Sequence, residues 1–170
     1  MTTYLVLTVI GNDEPGLVER LAQTIADNGG NWLESSMSQL AGKFAGILKV
    51  SVADADADKL TAELNKLSNK LKLVIEKATV DTSPAVSRTL NLSLVGNDRP
   101  GIIREISRAL AGLSINVEDL ETECVPAPMS ADVLFKAQAL LKVPPDLDLE
   151  GLRSKLEQIA DDLIVDIVLE

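Results

Sequence analysis

The sequence contains no histidine among its 170 residues. This absence excludes the Ser–His and Cys–His pairs of most nucleophilic enzymes, and it removes the commonest ligand of transition metals. The acidic run Asp54–Asp58 is similar to the opening of a calcium loop, but Lys59 and Asn65 stand where that loop needs Gly and Glu. The sequence therefore predicts no catalytic residue, no metal site and no cofactor.

Aromatic and basic residues are both scarce. The chain has one Trp, one Tyr and two Phe, and its 16 Lys and Arg are outnumbered by 26 Asp and Glu, for a formal charge of −10. Nucleic acids are bound through clustered cations and stacking aromatic rings, and anionic membranes attract basic surfaces. We therefore expect no direct contact with nucleic acid and no membrane association.

Cysteine and long apolar runs are also lacking. Cys124 is the single cysteine and has no partner for an intramolecular disulfide. Residues 1–10 lack the basic stretch and longer apolar region of a secretory signal, and no apolar run approaches the roughly 18 to 20 residues that span a bilayer. These features predict a protein of the cytoplasm.

The organising feature is an internal repeat. The segment Leu5–Gly16, LVLTVIGNDEPG, returns 85 residues later as Leu90–Gly101, LNLSLVGNDRPG. We expect a first domain over residues 1–80, a short polar linker over 81–88 and a second domain over 89–170.

Each half has the same predicted order of elements, βαββαβ. Alternating apolar residues predict strands, and apolar residues three or four apart predict helices. This order predicts an α+β fold of two ferredoxin-like units, each a four-stranded antiparallel sheet with two helices on one face. In the first half we expect strands at Leu5–Val9, Trp32–Leu40, Phe44–Val52 and Leu73–Val80, a helix from Leu17 to Ile25 and another through Leu60–Leu71. Hairpin turns are expected at Ala41–Lys43 and, in the second half, around Pro126–Pro128.

The repeated GND(E/R)PG segment predicts a turn between the first strand and the first helix. Pro15 suits the first helical position, and Asp13 or Glu14 suits the cap. Gly16 lets a ligand approach the free N–H groups of the helix start, which favour a carboxylate. Asn31 offers amide donors and an acceptor that match a zwitterion, so the pattern predicts an amino-acid site. The alternative is that these residues only form a turn and end a helix.

Two segments resemble a known family. GNDEPGL (Gly11–Leu17) and GNDRPGI (Gly96–Ile102) are similar to the signature loops of ACT domains. The run Asn31–Gly46 is similar to the second strand and hairpin of the glycine cleavage system transcriptional repressor group. The resemblance implies ferredoxin-like folds that pair side by side, and ligands held at interfaces between ACT units. It also implies that the protein acts through another protein without reading DNA itself.

By that resemblance, ten residues are candidates for binding an amino acid. They are Asn12, Asp13, Gly16, Leu17 and Asn31 in the first half, and Asn97, Asp98, Gly101, Ile102 and Asn116 in the second. The two sites need not be equivalent, because Ser114-Ile115 replaces Gly29-Gly30 and the second hairpin gains prolines.

Three functions follow in order of preference. The first is a homodimeric regulator, not an enzyme, that senses an amino acid, with glycine or serine favoured, and acts on a transcription factor or other regulatory protein. It would regulate transcription of glycine cleavage or amino-acid metabolism. The second is a structural interaction and dimerisation module that binds no ligand. The third is an enzyme with a carboxylate-based site whose members the sequence does not reveal.

Overall fold

The computed structural model describes residues 1–79 and 86–170. The chain divides into two compact units, Met1–Thr82 and Ser83–Glu170. Most of the predicted linker, residues 81–88, lies outside the described residues. Its last residue, Arg88, begins the first strand of the second unit.

Both units have the predicted element order and form four-stranded antiparallel sheets. The first unit contains β1 (Thr2–Asn12), α1 (Leu17–Asp27), β2 (Asn31–Leu40), β3 (Lys43–Ala53), α2 (Ala57–Asn65) and β4 (Leu71–Lys77), with 3-10 turns at Asp54–Asp56 and Lys66–Asn69. The second contains β5 (Arg88–Asn97), α3 (Ile102–Gly112), β6 (Asn116–Pro126), β7 (Val133–Val143), α4 (Leu149–Leu163) and β8 (Val165–Leu169). The strand orders are β2-β3-β1-β4 and β6-β7-β5-β8, which confirms the α+β, ferredoxin-like prediction.

One face of each sheet is covered by its two helices. Along β1, Leu5, Leu7 and Val9 are buried and alternate with more exposed residues, because successive side chains of a strand point to opposite faces. Helix α1 buries Leu17, Leu21 and Ile25, which lie four residues apart on one side. The second unit buries Leu92 and Leu94 of β5 against Ile102, Ile106 and Leu110 of α3. The core positions of the first strand and first helix thus repeat between the units.

The second helix of the first unit is shorter than predicted. It ends at Asn65, a 3-10 turn follows, and Leu71 begins β4 instead of ending the helix. Leu71 lies seven residues after Leu64 and two before Leu73, so its position fits both a helical and a strand pattern. Pairing of Leu71 with Gly11 of β1 decides for the strand, since it supplies the backbone hydrogen bonds of the ladder. β4 ends at Lys77, and the predicted strand end Val80 lies outside the described residues.

The repeat extends to irregular details of the second strand in each unit. The register of β2 shifts between Trp32 and Glu34, and that of β6 shifts between Val117 and Asp119 at the equivalent place. The first hairpin turns at Ala41-Gly42 as predicted, and the second turns through residues 127–132. None of the helices in the described residues is both long and apolar enough to cross a bilayer.

Candidate functional site

The turn before each first helix is built around a glycine in the left-handed region. Gly16 has φ 87° and ψ 3°, and Gly101 has φ 96° and ψ −1°. These angles match the third residue of a type II turn, a place that strongly favours glycine, with proline common just before it. Pro15 therefore lies in this turn and not at the first helical position that its sequence suggested. Helix α1 begins at Leu17, and the N–H of Arg20 donates to the Gly16 carbonyl at 3.0 Å.

Both helix starts lack a side-chain cap. Within the described residues, no side chain accepts a hydrogen bond from the first N–H groups of α1 or α3, so the expected capping by Asp13 or Glu14 was wrong. The geometry explains this, because glycine itself occupies the cap position and carries no side-chain acceptor. The first N–H groups of both helices are therefore available to an anion.

The turn is held in place from two sides. The Asp13 N–H donates to the Gly42 carbonyl at 3.0 Å, and the Asp98 N–H donates to the Val133 carbonyl at 2.8 Å. These bonds tie each turn to the neighbouring hairpin. On the other side, the side chains of Leu17 and Ile102 are buried in the core. Of these two candidate residues, only the backbone is available to a ligand.

A cavity of about 250 Å³ lies at the start of α1. We call it the helix-start cavity. Its lining combines helix-start backbone with three carboxylates and one aromatic ring, from Asp13, Glu14, Gly16, Leu17, Val18, Glu19 and Phe44. Free N–H groups suit a carboxylate, and the carboxylates suit an ammonium group. The arrangement is therefore complementary to a small zwitterion.

The start of α3 carries cations at the positions where α1 carries acids. Arg99 replaces Glu14 and Arg104 replaces Glu19, while Asp98 matches Asp13. The Arg104 Nη2 atom lies 3.3 Å from the point that a Cβ on Gly101 would occupy, so the guanidinium stands over the turn. The second helix start is thus better suited to a carboxylate than the first, because Arg adds a positive charge beside the free N–H groups.

Asn31 and Asn116 lie at the other end of their sheets. Asn31 pairs with Ser51, which pairs with Tyr4 near the beginning of β1, whereas Asn12 pairs with Lys43. Ser51 lies eight positions after Lys43, which corresponds to about 26 Å at roughly 3.3 Å per residue. The structure therefore does not bring Asn31 together with the turn of its own unit, and Asn116, paired with Lys142, is placed in the same way.

Asn12 and Asn97 line a different pair of cavities, where the first strand of each unit ends beside the last strand. The cavity in the first unit has a volume of about 320 Å³ and that in the second about 420 Å³. We call them the strand-end cavities. The first is lined by the predicted candidate Asn12 and by Lys43, Lys70 and Lys72. Sequence reasoning missed the three lysines because strand pairing brings Lys43 beside the other two.

Comparison with known proteins gives the family. The sequence profile of the ACT domain matches residues 3–77 and 88–170. The chain is 22% identical over 163 residues to the glycine cleavage system transcriptional repressor of Escherichia coli, covering 94% of this chain and 85% of that protein. It is 29% identical over 140 residues to the acetolactate synthase small subunit of Mycobacterium bovis, covering 81% and 79%.

Among solved structures, the chain is similar to an unknown protein from Galdieria sulphuraria. The TM-score is 0.89 at 28% identity, and the match covers 100% of this chain and 98% of that one. Together with the matched sequence profile, this shows that the chain belongs to the ACT domain family and contains two copies of that domain. Its similarity to a glycine cleavage system transcriptional repressor agrees with the resemblance seen in the run Asn31–Gly46.

Proposed function

We propose that this protein is a cytoplasmic regulator that senses a free amino acid, with glycine or serine favoured, and transmits its binding to a partner protein. The partner class that we favour is a transcription factor controlling glycine cleavage or amino-acid metabolism, and the regulator itself does not contact DNA. The similarity to a transcriptional repressor and to an enzyme's small subunit supports regulation as the general role. The excess of 26 acidic over 16 basic residues supports action through a protein.

The observation that carries the proposal is the helix-start cavity. A bound amino acid would place its carboxylate on the free N–H groups of α1 and its ammonium group near Asp13, Glu14 and Glu19. Phe44 limits the room for a side chain, which favours a small amino acid. At α3, Arg104 would add to carboxylate binding and Asp98 would face the ammonium group.

We propose that Asn31 contacts a ligand bound to a second copy of the chain. Because Asn31 lies about 26 Å along the sheet from the turn of its own unit, at roughly 3.3 Å per residue, it reaches a ligand at a helix start only from another ACT unit, which we propose belongs to a second copy of the chain. We therefore propose a homodimer in which an asparagine from one chain completes the pocket of the other. Ligand binding would then change the free energy of the interface, which is how it would reach a partner.

Isothermal titration calorimetry with the twenty amino acids tests this function. We expect selective binding, with Asn31→Ala and Asn116→Ala each weakening it while the fold is kept. Glu19→Gln, which removes one carboxylate of the cavity, should weaken it as well. Asn65→Ala, at an exposed position of α2, is the matched control and should bind as the unmodified protein does. A ligand at about 100 times its Kd should also add about 2.7 kcal/mol to the free energy of unfolding.

The proposal is wrong if no amino acid binds. If binding occurs and all the asparagine variants retain full affinity, the asparagine part alone is wrong. Partner dependence is tested by reciprocity, since an amino acid that strengthens partner binding must itself bind more tightly when the partner is present.

A second function, dimerisation without a ligand, is favoured by the outer face of the first sheet. Ile47 and Val74 are 54% and 57% exposed, and both pair with Thr8, so they lie in one cross-strand row. In the second unit the row at the same place holds Gln138 beside Ser93, and only Val168 is apolar. The outer face of the first sheet is thus more apolar in this row than that of the second. Covering it with another protein surface would bury more apolar area.

Sedimentation velocity over a dilution series separates the two functions. Val74→Lys should dissociate a dimer held by this face, whereas Val168→Lys, at the equivalent place in the second unit, should leave it intact. A dimer that is equally strong with and without every amino acid would favour the ligand-independent module.

A further inference from the structure

The strand-end cavity of the first unit has a rigid wall. It lies where β1 ends, between the beginning of β3 and the 3-10 turn that precedes β4. Gly11 permits this arrangement, since a Cβ there would lie 2.7 Å from Leu71 Cδ2 and 2.9 Å from the Lys70 carbonyl oxygen. Leu71 is itself only 1% exposed. The Lys70-Leu71 backbone is thus packed tightly on β1. The cavity wall is therefore formed by the packing of the backbone itself.

Three lysines from two separate segments surround this cavity. Lys43 begins β3, Lys70 precedes β4 and Lys72 lies within it. Lys43 Nζ donates to Asn12 Oδ1, and Lys70 Nζ lies 3.5 Å from Glu14 Oε2. In the part of the chain that the structure describes, no carboxylate is among the lining residues. Three positive charges around one concave surface create a positive local potential, although the chain as a whole is acidic.

The remaining polar groups of the cavity are neutral donors. Ser68 contributes a hydroxyl, and Asn69 and Asn12 contribute amides. Lysine ammonium groups with hydroxyl and amide donors match the several oxygens and the charge of a phosphate group, for which lysine is a common ligand. We propose that this cavity binds the phosphate group of a small soluble molecule, at a site separate from the helix-start cavity.

The second unit shows that the fold does not require these lysines. Strand pairing places Leu134, Ile164 and Asp166 at the positions of Lys43, Lys70 and Lys72, and the equivalent cavity is still present. Its lining includes Asp161 and Asp166 and no cation among the described residues. The same backbone therefore forms a basic cavity in one unit and an acidic one in the other, so we infer that the three lysines select an anion.

Calorimetric titration of the full chain with inorganic pyrophosphate, at constant ionic strength, tests the proposal. We expect the unmodified protein to bind and the double variant Lys70→Gln/Lys72→Gln to bind at least about tenfold more weakly, since two charge-assisted contacts are lost. Lys72→Asp, which introduces the residue of the second unit, should also weaken binding. The side chains of Lys70 and Lys72 are exposed, so these variants should keep the fold, as circular dichroism would verify.

Lys59→Gln/Lys77→Gln is the matched control because it removes the same charge at the other end of the unit. It should bind pyrophosphate as the unmodified protein does. Equal weakening in the control would reduce the effect to general attraction and overturn the site, as would absence of binding to the unmodified protein. Sedimentation with vesicles of phosphatidylcholine and phosphatidic acid, without binding of free pyrophosphate, would assign the phosphate to a lipid and overturn a soluble ligand.

Discussion

The two units of this chain share their backbone and differ in the sign of the charges at two equivalent places. Around the first helix start the acids Glu14 and Glu19 are replaced by Arg99 and Arg104. At the strand-end cavity the change runs the other way, from three lysines to a cavity with two aspartates. In this chain the repeated fold therefore keeps its turns and core positions, while the charges at equivalent surfaces are set separately.

One contact shows how closely the structure is kept despite these reversals. In the first unit Glu14 Oε2 lies 3.5 Å from Lys70 Nζ, which comes just before β4. In the second, Arg99 Nη2 donates to the Asp162 carbonyl at 3.2 Å, near the end of α4 and just before β8. The residue before the proline thus bridges to the segment ahead of the last strand in both units, with opposite charge.

The largest effect that we predict separates the two cores. Leu7→Ala and Leu92→Ala remove equivalent side chains of β1 and β5 that are 0% and 3% exposed. Each should lower the free energy of unfolding by about 3 to 5 kcal/mol, through lost burial and the cavity that remains. Urea unfolding, with hydrogen exchange as the measurement at each residue, should show that the loss of stability is confined to the unit that carries the substitution.

Loss of protection in both units from either substitution would contradict independent cores. Leu40→Ala is the control, because this leucine is 78% exposed and its truncation should change stability by less than about 0.5 kcal/mol.

A smaller effect tests the shared turn. Gly16→Ala and Gly101→Ala should each cost about 1 to 2 kcal/mol, because both residues have φ near +90° and an L-residue with a Cβ is strained there. Asparagine tolerates this region better, so Gly16→Asn should cost less than Gly16→Ala. Thermal unfolding would measure the order of the variants.

Gly112→Ala is a control for which we expect the opposite sign. This glycine ends α3, where a Cβ would come no closer than 3.8 Å, to Lys155 Nζ, so alanine should stabilise by up to about 1 kcal/mol. Equal costs at Gly16 and Gly112 would show that the positive φ is not what makes glycine necessary in the turn.

The fold could be predicted from the sequence because each element has its own local signal. The alternation of Leu5, Leu7 and Val9 and the four-residue spacing of Leu17, Leu21 and Ile25 identify β1 and α1 without reference to the rest of the chain. Leu71 was misassigned because its spacing satisfies both periods, and only pairing with Gly11 resolves it. At Leu71 the local pattern is therefore not sufficient, because a long-range contact decides between helix and strand.

The candidate site was predictable only in part, for a related reason. The repeated turn identifies Gly16 and its counterpart, since a left-handed glycine after proline is a local feature. The lysines of the strand-end cavity are separated by 27 residues between Lys43 and Lys70, and nothing local links them. Likewise, the sequence named Asn31 and the turn residues as candidates for an amino-acid site, and only strand pairing shows that Asn31 lies at the other end of the sheet from the turn of its own unit.

The smallest predicted effect uses the reversed charges directly. Glu19 lies in the first turn of α1, where a negative charge interacts favourably with the helix dipole, and Arg104 occupies the same place in α3, where its charge is unfavourable. Glu19→Arg should therefore lower the free energy of unfolding by about 0.5 kcal/mol, and Arg104→Glu should raise it by a similar amount. Arg104 also pairs with Glu105 at 3.1 Å, but at 71% exposure this pair contributes little.

Thermal unfolding should show changes in stability of opposite sign for the two variants at low salt. Both changes should disappear at about 1 M salt, where charges are screened within roughly 3 Å. Glu157→Arg, on the exposed side of α4 away from its ends, should have neither effect, and a shift of the same sign in both helix-start variants would mean that the dipole does not distinguish the two units.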